Sequence, residues 1–291
     1  MHYRIHKFLH PLLFQRDTSS LIKKLRIRIQ SLPPLPNINA STDNAEIAWV
    51  NFRKNLRNEI LHSDPRYFLH WPVIAHTMFY TGNRAELHVL QQSRRWNEWK
   101  DAIQETSCGY PSHHITYPLS SGNLIHHAFF LERLIENNAI DIKNIKTIFE
   151  FGGGYGSTAR LFYNFGFNGQ YVIFDLPEFL LLQEFFLYFA IPYNFPNVSF
   201  ISEINSTEEL SPDLFIASWS LSESPLTVRE DILSHTREPK HIAIAYQNTF
   251  REIDNIAYFK ELSEHLSNYS WIHETVEHQP GNSFLFGKLI Q

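Results

Sequence analysis

The 291 residues are enough for one large domain, or for a catalytic domain with a second layer, and 43% hydrophobic against 19% charged residues describes a chain with a real core. A net charge of -5 argues against nucleic acid as the main partner. The single cysteine, Cys108, excludes an internal disulfide and a thiolate zinc site, and it predicts a reducing, cytoplasmic setting.

In chain order, residues 1–36 form a basic arm and linker. Arg4, Lys7, Arg16, Lys23, Lys24, Arg26 and Arg28 stand there against one acid, Asp17. Such an arm suits a peripheral contact with an anionic membrane surface or an acidic partner, and equally a solvated helix face. It lacks the apolar run of a signal peptide. The longest apolar stretch, Phe179 to Ile191, holds Gln183 and Glu184 and is too short to span a bilayer. Leu32-Pro33-Pro34-Leu35-Pro36 is a stiff extended linker.

Residues 37–142 read as helical: a substrate-binding lid, a homodimer interface, or both. One helix is expected after a cap at Asp43, through Ile47, Val50, Leu56 and Ile60. A second runs from Asp64 to about Tyr80 with a kink at Pro72, and a third from Asn83 to about Ile103. Residues 105–122 read as loop. Ser121 or Asn123 then starts a helix through Ile125, Phe129, Leu131 and Leu134.

From 143 to 291 the pattern changes. Short apolar runs (Ile145 to Phe151, Gln170 to Phe174, Val198 to Ile201, Asp213 to Ser218, His241 to Tyr246) alternate with helical stretches near 156–166, 177–190, 225–236 and 252–267. Alternation of this kind predicts βαβ units and a parallel sheet. Ser270 to Val276, a turn at Gln279-Pro280-Gly281-Asn282, and Ser283 to Leu289 predict a closing hairpin whose last strand is antiparallel. The fold class is therefore α/β: a Rossmann-like, seven-stranded, mostly parallel sheet with a C-terminal hairpin, behind an α-helical N-terminal region.

The most informative run is a buried strand entering Glu150-Phe151-Gly152-Gly153-Gly154-Tyr155-Gly156, followed by a helix. Glycines allow a tight turn and the approach of a ligand to the backbone. Asp175 ends the next strand, 19 residues after Gly156, where an acid can bind both hydroxyls of an adenosine ribose. Gly154-Tyr155-Gly156-Ser157-Thr158-Ala159 also satisfies the looser G-x-G-x-x-A pattern of NAD binding. Two features favour S-adenosylmethionine instead. Glu150 precedes the first glycine by two residues, where a carboxylate attracts the cofactor's cationic end and repels a pyrophosphate. The domain also finishes within about 140 residues, leaving no room for a C-terminal substrate domain.

Four stretches resemble a family of sugar O-methyltransferases, class I enzymes encoded among bacterial surface-polysaccharide genes: Glu105 to Pro111, Phe149 to Gly156, Phe174-Asp175-Leu176-Pro177-Glu178, and Asp213 to Glu223. The resemblance covers residues 100 to 291. The chain departs from it at Gly109-Tyr110-Pro111, where the family often has Gly-Asn-Pro, and at Leu221-Ser222-Glu223, where it often has Phe-Gln-Glu. The resemblance implies that Glu150, Gly152, Gly154 and Asp175 contact the cofactor, with Gly156 and Leu176 in the same motifs. It places Ser202 and Glu203 near the adenine and Ser218 beside the methyl group. The implied acceptor is a sugar, free, nucleotide-linked or within a glycan. A small aromatic or amine acceptor is the alternative, and a cofactor-binding scaffold without turnover is a third reading.

Methyl transfer to a hydroxyl needs a base to take the proton. Glu223, just past the fourth strand, is one candidate. Among 16 histidines, His113 and His114 are the others, in a loop able to fold over the pocket, with His278 behind them. Gln247 and Asn248, after the fifth strand, and Tyr110 are candidates for binding acceptor hydroxyls. No D-D or H-x-H grouping marks the strand ends, so the expectation is a metal-independent reaction.

Overall fold

The computed structural model describes residues 18–39, 42, 44–78, 80, 82–191, 197–204 and 210–290. Its centre is a sheet of seven strands: β1 (Thr147–Phe151), β2 (Gln170–Phe174), β3 (Val198–Ile201), β4 (Leu214–Ser218), β5 (His241–Gln247), β6 (Tyr269–Thr275) and β7 (Asn282–Leu289). They lie in the order β6-β7-β5-β4-β1-β2-β3. Only β7 is reversed, pairing antiparallel with both β5 and β6. The expected seven-stranded sheet and closing hairpin are thus present. β1 shows why: Ile148 faces one apolar cluster while Phe149 and Phe151 face another, so a near-continuous apolar run is buried on both sides.

The helices are α1 (Thr18–Gln30), α2 (Asn44–His62), α3 (Pro72–Met78), α4 (Arg84–Gln92), α5 (Trp96–Ala102), α6 (Gly122–Asn138), α7 (Ser157–Asn164), α8 (Pro177–Ala190), α9 (Leu226–His235) and α10 (Asn255–His265). Helices α1 to α8 share the larger apolar cluster with one face of the sheet. Helices α9 and α10 cover the other face through Ile232 and Phe259. Ten of the 14 residues of α8 are buried, because it touches β3 as well as α1 and α2. A helix so placed has no polar face to spare. Its buried Glu178 is matched by Arg53 (2.7 Å) and Arg57 (2.7 Å) from α2, as a buried carboxylate requires.

Several local expectations change. Pro72 does more than kink a helix: it is the first residue of α3, after a separate 3-10 turn at Pro65–His70. The helix expected from Asn83 to Ile103 is two helices, broken where the Ser93 hydroxyl accepts from Arg95 N (2.9 Å) and Arg95 turns to the buried Glu132. The loop at 105–122 contains a two-stranded ribbon, His113–His114 with Tyr117–Ser121. Ser121 is the cap of α6, accepting from Leu124 N at 3.2 Å. Asp43, Arg4, Lys7, Arg16 and Asp17 lie outside the described residues. The described part of the basic arm is packed into the body. Leu25 and Ile29 are buried, Arg26 donates to the carbonyls of Ile60 and Ser63, and Arg28 pairs with Glu184. Only Lys23 and Lys24 of its described cations are exposed. Among the described residues, no helix is long and apolar enough to cross a membrane.

Candidate active site

A cavity of about 910 Å³ opens at the carboxyl ends of the parallel strands. It sits beside β1, where the chain passes to β2 on one side and β4 lies on the other, the switch point at which such sheets bind ligands. The turn after β1 supplies one wall. Gly152 has φ +74° and Gly154 has φ +57°, left-handed values that a side chain rarely adopts. A Cβ on Gly152 would stand 2.3 Å from Cβ of Ser220, whose hydroxyl donates to the Phe151 carbonyl. The turns after β1 and β4 therefore interlock. Gly154 faces open space: a Cβ there meets nothing nearer than Sδ of Met78, at 3.8 Å.

Two carboxylates stand at this wall. Oδ1 of Asp175 accepts from Leu176 N (2.7 Å) and Oδ2 from Gln183 Nε2 (2.6 Å). Gln183 also donates to the Gly154 carbonyl at 3.0 Å, so one side chain from α8 braces both the glycine turn and the acid. Burial pushes Asp175 up to about 7 despite these bonds. Glu150 is buried, with the Tyr171 hydroxyl donating to Oε2 at 2.9 Å. Burial pushes Glu150 up to about 8, Asp175 adding to the rise while the bonds from Tyr171 and Thr158 oppose it.

The sign of the effect on stability follows. An unfolded glutamate ionises near 4.5, whereas the folded one keeps its proton to about 8. Unfolding therefore releases a proton between those values, and stability falls as pH rises through them. Glu150→Gln removes the burdened charge while keeping an oxygen for Tyr171. At pH 8.5 the variant is expected to be more stable by about 2 kcal/mol, a rise in Tm of roughly 5 °C by calorimetry. A lower Tm than wild type would show that Glu150 is ionised and satisfied within the fold.

The opposite wall carries polar groups from β4 and β5. Glu223 ends a 3-10 turn, Leu221–Glu223, whose carbonyls are gripped from below. Arg229 donates to Ser222 O (2.8 Å) and Ser224 O (3.0 Å), and Asn255 donates to Ser222 O (3.2 Å) and Gln247 O (2.9 Å). Gln247 reaches Glu223 Oε1 at 3.5 Å and accepts from the Ser222 hydroxyl at 2.7 Å. Burial pushes Glu223 up to about 7, a value at which a carboxyl exchanges protons readily near neutrality. Trp219 also lines the cavity, and His126 stacks on it with ring centroids 4.8 Å apart.

Of the residues singled out by sequence, Glu150, Gly152, Gly154, Asp175, Leu176, Ser202, Ser218, Glu223 and Gln247 all line this one cavity. Others do not. His113 and His114 line a separate depression of about 370 Å³, which shares only Tyr80 and Asn123 with the main cavity. The ribbon that holds them is what turns them away. Tyr110 lies on neither wall; its carbonyl is bonded to His70 at 2.6 Å. Asn248 is tied through its backbone to Gly281 and Asn255, Glu203 is exposed beyond β3, and Gly156 starts α7 against Leu187. Sequence reasoning missed Gln183, although a lone amide in so apolar a helix is itself a signal of a buried bond. It also passed over Glu86 and His126. Among the described residues, no group of three or more His, Cys, Asp or Glu is placed to hold a metal ion.

No protein-family model matches the chain, and no curated protein matches its sequence. Among solved structures it is similar to magnesium protoporphyrin IX methyltransferase from Synechocystis PCC 6803 with bound S-adenosylhomocysteine, with TM-score 0.45 and 9% identity, covering 71% of this chain and 99% of that one. It is also similar to a glycopeptide N-methyltransferase complexed with S-adenosylmethionine (TM-score 0.42, 8% identity, 56% of this chain and 93% of that one). A third is the ribosomal protein L11 methylase from Lactobacillus delbrueckii subsp. bulgaricus (TM-score 0.41, 10% identity, 57% of this chain and 80% of that one). At such identities these are likenesses of fold.

Proposed function

We propose that the chain is an S-adenosylmethionine-dependent O-methyltransferase whose acceptor is a hydroxyl of a sugar or a nucleotide-linked sugar. The observation that carries this reading is the placement of Glu150, the glycine turn and Asp175 on one wall of a single cavity, with Ser218, Glu223 and Gln247 on the next. The residues present fit the cofactor. Gly154 leaves room for it, and Oγ of Ser218, on the cavity wall, is buried without a hydrogen-bond partner. Asp175 takes the ribose hydroxyls, Glu150 the ammonium of the amino-acid end, and Leu176 and Ser202 flank the adenine. The ammonium draws Glu150 back toward its ionised form, an attraction that the pyrophosphate of NAD cannot supply. The cofactor supplies a methyl group already activated by a cationic sulfur. What remains for the protein is to align the acceptor oxygen and remove its proton. Two groups on the acceptor side can take that proton, Glu223 and His126. One observation favours a flat aromatic acceptor as a second reading: the rings of Tyr80, His126 and Trp219 lie side by side on the cavity wall, His126 stacked on Trp219 and tilted against Tyr80.

Calorimetry with S-adenosylhomocysteine, then with NADH, tests the cofactor. Binding of the first alone is the expected result, and binding of NADH alone would end the methyl-transfer reading. Tritiated S-adenosylmethionine offered with nucleotide sugars and with catechol tests the acceptor. Label in a sugar product is expected, and label only in the catechol product would overturn the sugar assignment.

A further inference from the structure

Glu86 is the third residue of α4 and completes a capping box with Asn83: its Oε2 accepts from Asn83 N at 3.4 Å. Capping occupies that oxygen alone. The other, Oε1, is fully buried with the side chain and accepts from two imidazoles, His126 Nδ1 at 2.6 Å and His278 Nε2 at 2.8 Å. Although burial raises the Glu86 carboxyl, these bonds hold it below its usual value. An ionised carboxylate only accepts, so Nδ1 of His126 carries a proton, and in the neutral ring the lone pair then lies on Nε2. Among the described residues no hydrogen bond occupies that Nε2, and the ring forms part of the cavity wall. The ring is also held flat, between Tyr80 (4.1 Å) and Trp219 (4.8 Å). Trp219 follows the last residue of β4 at φ +63°, a conformation a bulky residue rarely adopts. Its backbone N–H bonds to Ala245 O, and its indole N–H bonds to Asn282.

We propose that His126 is the general base of the transfer, accepting the acceptor hydroxyl's proton on Nε2, and that Glu86 is the positioning residue that fixes its tautomer. This rests on the methyl-transfer reading above. In the step, the hydroxyl oxygen forms a bond to the methyl carbon while the carbon–sulfur bond breaks with its electron pair left on sulfur. The hydroxyl proton passes to Nε2, giving an imidazolium that the Glu86 carboxylate stabilises, and it is returned to water afterwards. His278, on the hairpin turn, holds the same carboxylate from the far side. Glu223 then binds a neighbouring acceptor hydroxyl with Gln247.

The test begins without any acceptor. Protein labelled with 15N in its imidazoles is read by long-range proton–nitrogen correlation at pH 7.5, the His126 signals being those lost in His126→Asn. A proton on Nδ1 with a bare Nε2 is expected, and Glu86→Gln shifts the ring to the other tautomer. A proton on Nε2 in the wild type overturns the proposal, and this arm stands even if Glu86→Gln does not fold. His126→Asn retains a donor for Glu86, so S-adenosylhomocysteine binds within about twofold of wild type while kcat for methyl transfer to the sugar acceptor falls about 100-fold or more. Glu223→Gln is expected to raise KM and leave kcat within about tenfold. If His126→Asn keeps kcat and Glu223→Gln loses it, the base is Glu223 and the proposal fails. Failure of wild-type protein to bind S-adenosylhomocysteine removes the underlying reading instead, a result the tautomer measurement cannot mimic.

Discussion

Replacing Asp175 with alanine is expected to leave a folded protein whose dissociation constant for S-adenosylhomocysteine rises by about 100-fold or more. The carboxylate follows β2 on the cavity wall and accepts bonds from Leu176 N, from Gln183 and from the Gly153 backbone. A ribose diol placed against it shares the two oxygens with these donors. Hydrogen bonds to a charged group contribute about 1.5–3 kcal/mol each, and losing two of them corresponds to at least about 100-fold. The same geometry predicts a pH dependence. Burial pushes Asp175 up to about 7, so below that pH the ligand must displace a proton in order to bind. Glu150, which keeps its proton to about 8 and must lose it to hold the ammonium, adds to the same fall. Affinity is therefore expected to drop about tenfold per pH unit from 8 to 7, more steeply below 7, and to level off above 8. Calorimetry in two buffers of different ionisation heat measures the proton released. No release at pH 6, or an unchanged affinity in Asp175→Ala, would remove this residue from the ribose site.

What could be read in advance was what the chain encodes locally. The alternation of apolar runs and helices gave the sheet, since each strand's burial depends on its own side chains. Asp175 can be placed at the cavity wall from sequence because the distance from a glycine turn to the next strand end is set by one helix and one connection. Contacts between distant segments were not readable. Glu86 meets His126 across 40 residues and His278 across 192, and no spacing rule joins a helix cap, a buried helix and a hairpin turn. The expectation of His113 and His114 near the cavity fails because a loop's direction cannot be inferred from its composition. A short ribbon decides it, and that ribbon points them to another depression. The basic arm shows the same limit: Arg26 and Arg28 look like free charges in the sequence, yet carbonyls at 60 and 63 and a carboxylate at 184 absorb them. Gln183 stands out in the sequence only as an interruption of an apolar run, yet its burial obliges it to bond.

The glycine turn separates two roles that a binding measurement alone would merge, packing and access. Gly152→Ala is expected to act through stability. Its φ of +74° already disfavours a side chain, and the new Cβ would lie 2.3 Å from Ser220 Cβ, an atom fixed to the backbone that cannot swing away. Strain and displacement together are expected to cost about 3–4 kcal/mol, lowering Tm by roughly 10 °C. Gly154→Ala has a similar φ of +57° but no clash, since its nearest neighbour is Met78 Sδ at 3.8 Å. The cost there is about 1–2 kcal/mol, a fall in Tm of no more than about 5 °C. Its methyl instead enters the space a ligand needs to reach the backbone, so affinity for S-adenosylhomocysteine is expected to drop about 100-fold. Thermal melts with and without the ligand distinguish the two: Gly152→Ala melts early but still gains stability from saturating ligand, and Gly154→Ala melts near wild type and gains little. If Gly154→Ala gained as much from the ligand as wild type, the backbone at 154 would not be the surface the cofactor lies on. Close approach to that turn is the one requirement that glycine alone can meet there.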